Sequence, residues 1–190
     1  MNETYLASLQ RRIKGMHSLW DEALSTMTLE QVNFFERDGV LPIAFSVNHM
    51  ARIEDQTVQV LFKGETPIWN RDGWADKVGV TVDDAGKELT VQEMQELRFE
   101  DYGAFCDFAA AVFATTDAWL DGLDPDRLTD ELFGGVVPPL FQKAYVARVV
   151  GDGPILLLDG IECWVFQHGI RHLGELEHAR ALVGLGGMTS

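Results

Sequence analysis

The sequence predicts an all-α protein, an antiparallel four-helix bundle with long crossover connections that forms a single domain over residues 1–190. Four long segments repeat their apolar residues at the 3.6-residue period of an amphipathic α-helix. Glycine, proline and aspartate separate these segments. Hydrophobic residues make up 46% of the chain, which is enough for one sizeable core, and no internal repeat indicates a second domain.

The first two long helices are predicted over about residues 2–27 and 41–62. Asn2 or Thr4 can cap the first helix, because their side-chain oxygens accept hydrogen bonds from the unpaired N–H groups of the first turn. Pro42 suits the first turn of the second helix, where a missing N–H costs no hydrogen bond.

A long connection is predicted from residue 64 to about residue 89. It is rich in glycine and aspartate and shows no sustained period, so at most one short helix is expected in it, near residues 74–78. A connection of this length inside a compact domain usually has a function, such as covering a pocket. Thr90 and Glu93 then have the spacing of a capping box, which predicts another short helix.

The second half of the chain is predicted to contain the other two long helices. The third covers about residues 100–123, and the fourth runs from residue 155 or 160 to residue 182. Between them, residues 141–150 fit either a strand or a short helix.

Composition and charge restrict the class of partner. The formal net charge of −15 argues against nucleic acid or an anionic membrane surface as a partner, because neither attracts an acidic protein. The sequence shows no signal-peptide pattern and no apolar run long enough to cross a membrane. Cys106 and Cys163 lie in apolar helical surroundings, which favours two small buried residues over a disulfide. These features predict a cytoplasmic protein.

Three of the five histidines lie where two helices can bring them together. His168 and His172 are four residues apart, so both imidazoles lie on one face of the fourth helix, close enough to share a metal ion. His49 lies in the second helix and can supply a third nitrogen. Three protein ligands leave a fourth position open to water or substrate, as a reactive metal requires. The alternative is that these are ordinary core or surface histidines.

The residues around the histidine pair are consistent with a metal site that has an apolar surface on one side and a carboxylate on the other. Trp164 lies one helical turn before His168. Glu175 follows His172 by three residues, and it either accepts the second ring N–H of that histidine or is a solvated side chain near the helix end.

The other polar residues of these helices are not expected to bind the metal. His178 points to the opposite side of the fourth helix, and His17 of the first helix faces either the pocket or solvent. Arg52, Glu54 and Asp55 are expected to pair with neighbours on the surface of the second helix. The Gly-x-Ser-x-Gly, phosphate-loop and His-Glu-x-x-His patterns are absent from the sequence.

Two runs resemble the motifs of the DinB-like superfamily. Residues 43–55 (IAFSVNHMARIED) are similar to its second-helix signature, and residues 166–176 (FQHGIRHLGEL) are similar to its His-x-x-x-His motif followed by Gly-Glu or Gly-Gln. Residues 63–80, with Trp69 and Trp74, resemble the connection of an actinobacterial branch. The resemblance therefore covers most of the chain, closely in two motifs and loosely between them.

The resemblance implies a four-helix bundle, often homodimeric, that binds a divalent metal, commonly nickel or zinc, through His49, His168 and His172. Characterised relatives include transferases and isomerases that depend on mycothiol or bacillithiol, in which the metal lowers the pKa of the thiol. A thiolate formed in this way is a competent nucleophile at neutral pH.

The leading functional hypothesis is a metal-dependent thiol S-transferase or isomerase that acts on a small electrophile. Trp69 and Trp74 are candidates for the wall or lid of the substrate pocket; alternatively, they anchor the connection by burying apolar area. A second hypothesis is a hydrolase that uses a metal-bound water, with Glu175 as the candidate catalytic base. A third is a metal-binding stress-response protein without catalytic activity.

Overall fold

The computed structural model describes residues 2–86, 89–134 and 137–188, and the regular elements within these ranges are helical. Extended pairing in them consists of two isolated bridges, Val80 with Phe99 and Glu131 with Leu156. The prediction of an all-α protein is therefore confirmed.

The α-helices are joined by π-helical segments and short 3-10 turns. The α-helices are α1 (Asn2–Ser25), α2 (Leu29–Val32), α3 (Ile43–Asp55), α4 (Ile68–Arg71), α5 (Trp74–Val78), α6 (Val91–Gln95), α7 (Tyr102–Asp121), α8 (Tyr145–Val150), α9 (Leu157–Gly160) and α10 (Gln167–Leu182). The π-helical segments are Gln56–Lys63, which continues α3, and Ile161–Phe166, which leads into α10. The 3-10 turns are Pro125–Thr129 and Pro139–Phe141.

The four long predicted helices are present, and their packing builds the core. Helix α1 lies against α7 and α10, and α3 lies against the same two helices. The apolar stripe that the sequence period predicts on α1 is buried, and it includes Leu6, Leu9, Ile13, Met16 and Trp20. The two histidine-bearing helices, α3 and α10, are therefore in direct contact.

The connection between α3 and α7 contains one more helix than the sequence predicts. Besides α5 at Trp74–Val78, α4 forms at Ile68–Arg71. The Asp55 carboxylate of α3 accepts hydrogen bonds from the backbone N–H groups of Ile68 (2.9 Å) and Trp69 (3.0 Å). These bonds satisfy the first turn of α4. Because the cap belongs to a different helix, the local sequence does not reveal it.

Several smaller predictions can be compared with the structure. Thr90 and Glu93 form the predicted capping box at the start of α6, and α8 forms where the sequence fits either a strand or a helix. Cys163 is buried, Cys106 is half-buried, and neither is in a disulfide. Within the described ranges, no helix is both long enough and apolar enough to cross a membrane.

Helices α1 and α10 approach each other closely at Gly169, the residue after His168. A Cβ atom at position 169 would overlap the Met16 side chain, so a larger residue would require that side chain to move. The indole N–H of Trp20 donates to the Gly169 carbonyl at 3.2 Å and secures the contact. Glycine therefore lets Met16 pack directly against α10 at the position where a His-Glu-x-x-His motif has glutamate.

His17 is buried between α1, α3 and α7 and faces neither the pocket nor solvent. Its Nε2 atom lies 3.0 Å from Glu54 Oε1, and its Nδ1 atom lies 3.0 Å from Asp117 Oδ1. Burial lowers the pKa of His17, but the charge of Glu54 and hydrogen bonds to both carboxylates raise it more, to about 9. At neutral pH a protonated His17 therefore ties three long helices together.

This network predicts a loss of stability at alkaline pH. The pKa of His17 is about 9 when folded and about 6.5 when unfolded, so its contribution is complete below pH 6.5 and disappears as the pH rises through 9. The free energy of unfolding of metal-free protein should fall by up to ~3 kcal/mol between pH 6.5 and pH 10, as measured by urea denaturation. His17→Gln should show a much smaller fall over the same range, and equal falls in both proteins would contradict this account.

Candidate metal centre

His49 of α3 meets His168 and His172 of α10 where the two helices pack. One ligand nitrogen from each residue lies within 4.8 Å of the other two. The Nε2 atoms of His168 and His172 are 3.2 Å apart, and the centroid of the His49 ring lies 5.3 Å and 5.1 Å from the centroids of their rings. In a tetrahedral site with zinc–nitrogen bonds of about 2.1 Å, neighbouring nitrogens are about 3.4 Å apart. The three histidines could therefore hold a metal ion.

Two of the imidazoles are oriented by hydrogen bonds from Nδ1. His49 Nδ1–H donates to the Ala85 carbonyl at 2.5 Å, and His172 Nδ1–H donates to Glu175 Oε2 at 2.7 Å. Because a carbonyl and a carboxylate only accept, each neutral ring carries its proton on Nδ1 and a lone pair on Nε2. Acceptors behind the ring nitrogens are typical of metal-binding histidines, so this donor set suits a divalent ion.

Residues from α3 and α4 hold the segment that contains Ala85. Asp83 Oδ1 accepts hydrogen bonds from Arg52 Nη1 at 2.7 Å and from Trp69 Nε1 at 2.9 Å. The Arg52 guanidinium also lies over the Trp69 ring, 4.2 Å from its centroid. The position of the carbonyl behind His49 therefore depends on a cluster of three side chains.

The backbone around Ala85 also passes very close to α3. Asn48 Nδ2 donates to the Asp84 carbonyl at 3.2 Å. Gly86 has a φ of +96°, and a Cβ atom there would lie 2.7 Å from Phe45 and 3.1 Å from His49 Nδ1. Glycine at this position therefore permits the close approach that aligns the His49 ring. The sequence indicates a connection rich in glycine and aspartate here, but nothing in it identifies the contact with His49.

A cavity of about 680 Å³ opens beside the histidines, and its lining includes His49 and His168. This volume falls within the range of roughly 300–1,000 Å³ that is typical of small-molecule sites. The Trp164 ring lines the same cavity, so the predicted apolar surface before His168 is part of its wall. The open space beside His49 and His168 gives a small molecule access to the centre.

Both histidine-bearing helices become π-helical at this cavity. Gln56 and Val60 line it from the segment Gln56–Lys63, and Trp164 lines it from the segment Ile161–Phe166. A π-helical turn is wider than an α-helical turn and changes which side chains face inward, and such turns are frequent at functional sites. The apolar period of the sequence predicted these helices but not their widened turns.

The structure places the two candidate tryptophans away from the cavity lining. Trp69 is 1% exposed and meets the Phe108 ring of α7 edge-on, with 4.9 Å between ring centroids. Trp74 is half-buried and also packs against Phe108, and Lys77 lies over its ring. Both positions agree with the alternative in which these residues anchor the connection. Pro67 is the residue of this connection that reaches the cavity, within the part of the chain described.

Glu175 contacts the centre indirectly. Its carboxylate is bonded to His172 Nδ1, whereas the nitrogen that faces His168 is Nε2, across the ring. Its side chain is 56% exposed to solvent and also accepts the Nδ1–H of His172. Both roles considered for Glu175 therefore apply in part. His178 is exposed and borders a separate cavity of about 400 Å³.

Comparison with known proteins adds information on the fold. No protein-family model and no curated protein matches this chain. Among solved structures, the chain is similar to a conserved protein from Enterococcus faecalis, with a TM-score of 0.74 and 18% sequence identity over 94% of this chain and 97% of the other. At this level of identity the likeness shows a shared fold alone.

The cluster behind His49 predicts a variant with weakened metal binding. Asp83→Ala removes the acceptor shared by Arg52 and Trp69, so the Ala85 carbonyl is held less firmly against His49. We expect zinc affinity to fall about tenfold, measured by competition with a chromophoric chelator. Asp83→Asn, which retains the acceptor oxygen, should keep most of the affinity.

The matched control is Asp76→Ala, which changes the net charge equally at an exposed position of α5. It should bind zinc like the wild type. A similar loss of affinity in Asp76→Ala and Asp83→Ala would mean that the effect is one of overall charge and not of positioning.

Proposed function

We propose that this protein is a metal-dependent enzyme that activates a low-molecular-weight thiol for attack on a small electrophile. In this proposal His49, His168 and His172 hold a divalent ion, zinc or nickel. The observation that carries the proposal is the meeting of three imidazoles beside a cavity of about 680 Å³, with His49 and His168 in its lining. Three nitrogen ligands with an open approach are typical of catalytic sites, whereas structural zinc sites are closed by four protein ligands.

A divalent ion at such a centre supplies Lewis acidity, which lowers the pKa of a thiol or water bound beside it. The residues of this chain orient the metal-binding imidazoles and exclude water from the cavity. The Ala85 carbonyl and the Glu175 carboxylate orient two of the imidazoles by accepting hydrogen bonds from Nδ1. Apolar side chains such as Trp164 limit solvent in the cavity, and Gln56 and Thr57 offer neutral hydrogen-bonding groups to a substrate.

A hydrolase is the second candidate, and the position of Glu175 makes it the weaker one. Hydrolysis needs a base near the open side of the centre, but Glu175 is bonded to the Nδ1 atom of His172 and not to the nitrogen that faces His168. Within the described ranges, no carboxylate lines the cavity. A thiol whose pKa is lowered ionises without such a base.

The more specific parts of the proposal rest on the resemblance of residues 43–55 and 166–176 to DinB-like motifs. We propose that α1, α3, α7 and α10 form the antiparallel four-helix bundle of that superfamily. On the same ground, the thiol is mycothiol or bacillithiol, and the protein acts as a homodimer in the cytoplasm.

The first test is metal content. Untagged protein, purified without a nickel column, should contain about one equivalent of divalent metal by mass spectrometry. His49→Ala and His172→Ala should each lose most of it, because two histidines do not complete the ligand set. His178→Ala removes an exposed histidine from the same helix and should retain the wild-type content. Equal metal content in His172→Ala and His178→Ala would overturn the assignment.

The second test is thiol-dependent turnover. Protein loaded with zinc or nickel should accelerate the reaction of mycothiol or bacillithiol with 1-chloro-2,4-dinitrobenzene at pH 7, and His172→Ala should abolish the acceleration. Turnover that persists after removal of the metal would contradict the proposal. Ester hydrolysis without thiol that is lost in Glu175→Gln would instead support the hydrolase. Bound metal without turnover of any of these substrates would favour a non-catalytic metal-binding protein.

A further inference from the structure

We infer that the cavity beside the histidines binds an uncharged, predominantly apolar small molecule and discriminates against ligands that carry a charge far from His49 and His168. The inference rests on the proposed function, in which this molecule is the electrophile. Its basis is the lining of the cavity. In the part of the chain that the structure describes, that lining contains no aspartate, glutamate, lysine or arginine, although these residues make up 24% of the sequence.

The walls of the cavity consist of apolar side chains of two kinds. Ile53, Val60 and Leu61 form an aliphatic side on α3 and its π-helical continuation. Phe141 and Trp164 form an aromatic side, with 4.8 Å between their ring centroids and 38° between the ring planes. Aromatic and aliphatic walls of this kind stabilise the flat apolar body of a ligand by removing its surface from water.

The aromatic side is supported by its own small cluster of side chains. Phe133 packs against both Phe141 and Trp164, with centroid distances of 5.4 Å and 6.3 Å. Beneath them, Val146 and Ile155 belong to a hydrophobic cluster that is distinct from the main core. Because these packing partners hold the aromatic wall, the cavity does not depend on a ligand for its shape.

Few polar groups line the cavity. In the described part of the chain they are, apart from the histidines, the uncharged side chains of Gln56 and Thr57. An amide and a hydroxyl can hydrogen-bond an alcohol, ether or carbonyl oxygen, but they do not neutralise a carboxylate or an ammonium group. A charge buried against these walls would lose its hydration without gaining an opposite charge, which is costly. The polar end of the ligand therefore belongs at His49 and His168, and its body belongs among the apolar walls.

Two biphenyl compounds test this inference. The neutral probe is biphenyl-4-ylmethanol, and the charged probe is 4′-(hydroxymethyl)biphenyl-4-carboxylate, which differs by a carboxylate at the end far from the hydroxyl. Binding to metal-free protein is measured by calorimetry and by tryptophan fluorescence. We expect the neutral probe to bind at least about tenfold more tightly than the charged one. Equal affinities, tighter binding of the carboxylate, or no binding of either probe would overturn the inference.

A gain of function provides a stricter test. Val60 lines the cavity but is 50% exposed, so Val60→Lys should fold while placing a cation at the wall. This variant should bind the carboxylate probe more tightly than the wild type does, and the neutral probe less tightly. Val149→Lys is the matched control, because Val149 is 49% exposed on α8 and is not part of the lining. The same change in selectivity in both variants would contradict the assigned site.

The comparison separates this inference from the proposed function. The two probes are compared in metal-free protein, so their relative affinities do not depend on metal binding or on turnover. If the neutral probe binds selectively but the purified protein contains no metal, the enzymatic proposal is overturned and the cavity assignment is supported. Metal-dependent turnover without a preference for the neutral probe would support the enzymatic proposal and overturn the cavity assignment.

Discussion

The polar face of α3 is the constraint on which the rest of the site depends. Asn48, His49, Arg52 and Asp55 all bond to the connection between residues 68 and 86. A buried polar group without a partner is costly, so the connection cannot move away without leaving several such groups unpaired. The first turn of α4, the clamp at Asp83 and the orientation of His49 are therefore parts of one packed interface.

Charged side chains and the cavity occupy different faces of the same helices. The ion pairs of His17 lie between α1, α3 and α7, and the pair of Arg52 with Asp83 lies behind His49. The cavity next to His49 has apolar and neutral polar walls. In such surroundings electrostatic interactions are less screened than in water, so a divalent ion would be the dominant charge in the site.

Two expectations from the sequence are wrong for a common reason. Arg52, Glu54 and Asp55 were expected to pair on the surface of the second helix, yet all three are buried. Helical periodicity identifies one apolar face and leaves the other to solvent, but α3 is covered on further sides by His17 of α1 and by the connection. The extra helix α4 was missed for the same reason, since Asp55 caps it from another element.

The sequence by itself determined the all-α class, the four long helices, the capping box at Thr90, and the common face of His168 and His172. Each of these follows from hydrogen bonds and side-chain spacing within a few turns of one segment. Only the tertiary structure decided that His49 joins the pair, that the Ala85 carbonyl orients it, and that the cavity is walled by Phe141 and Trp164 and not by the tryptophans of the connection. These contacts join segments that are far apart in the chain, where packing and the pairing of buried polar groups decide the outcome and local periodicity carries no information.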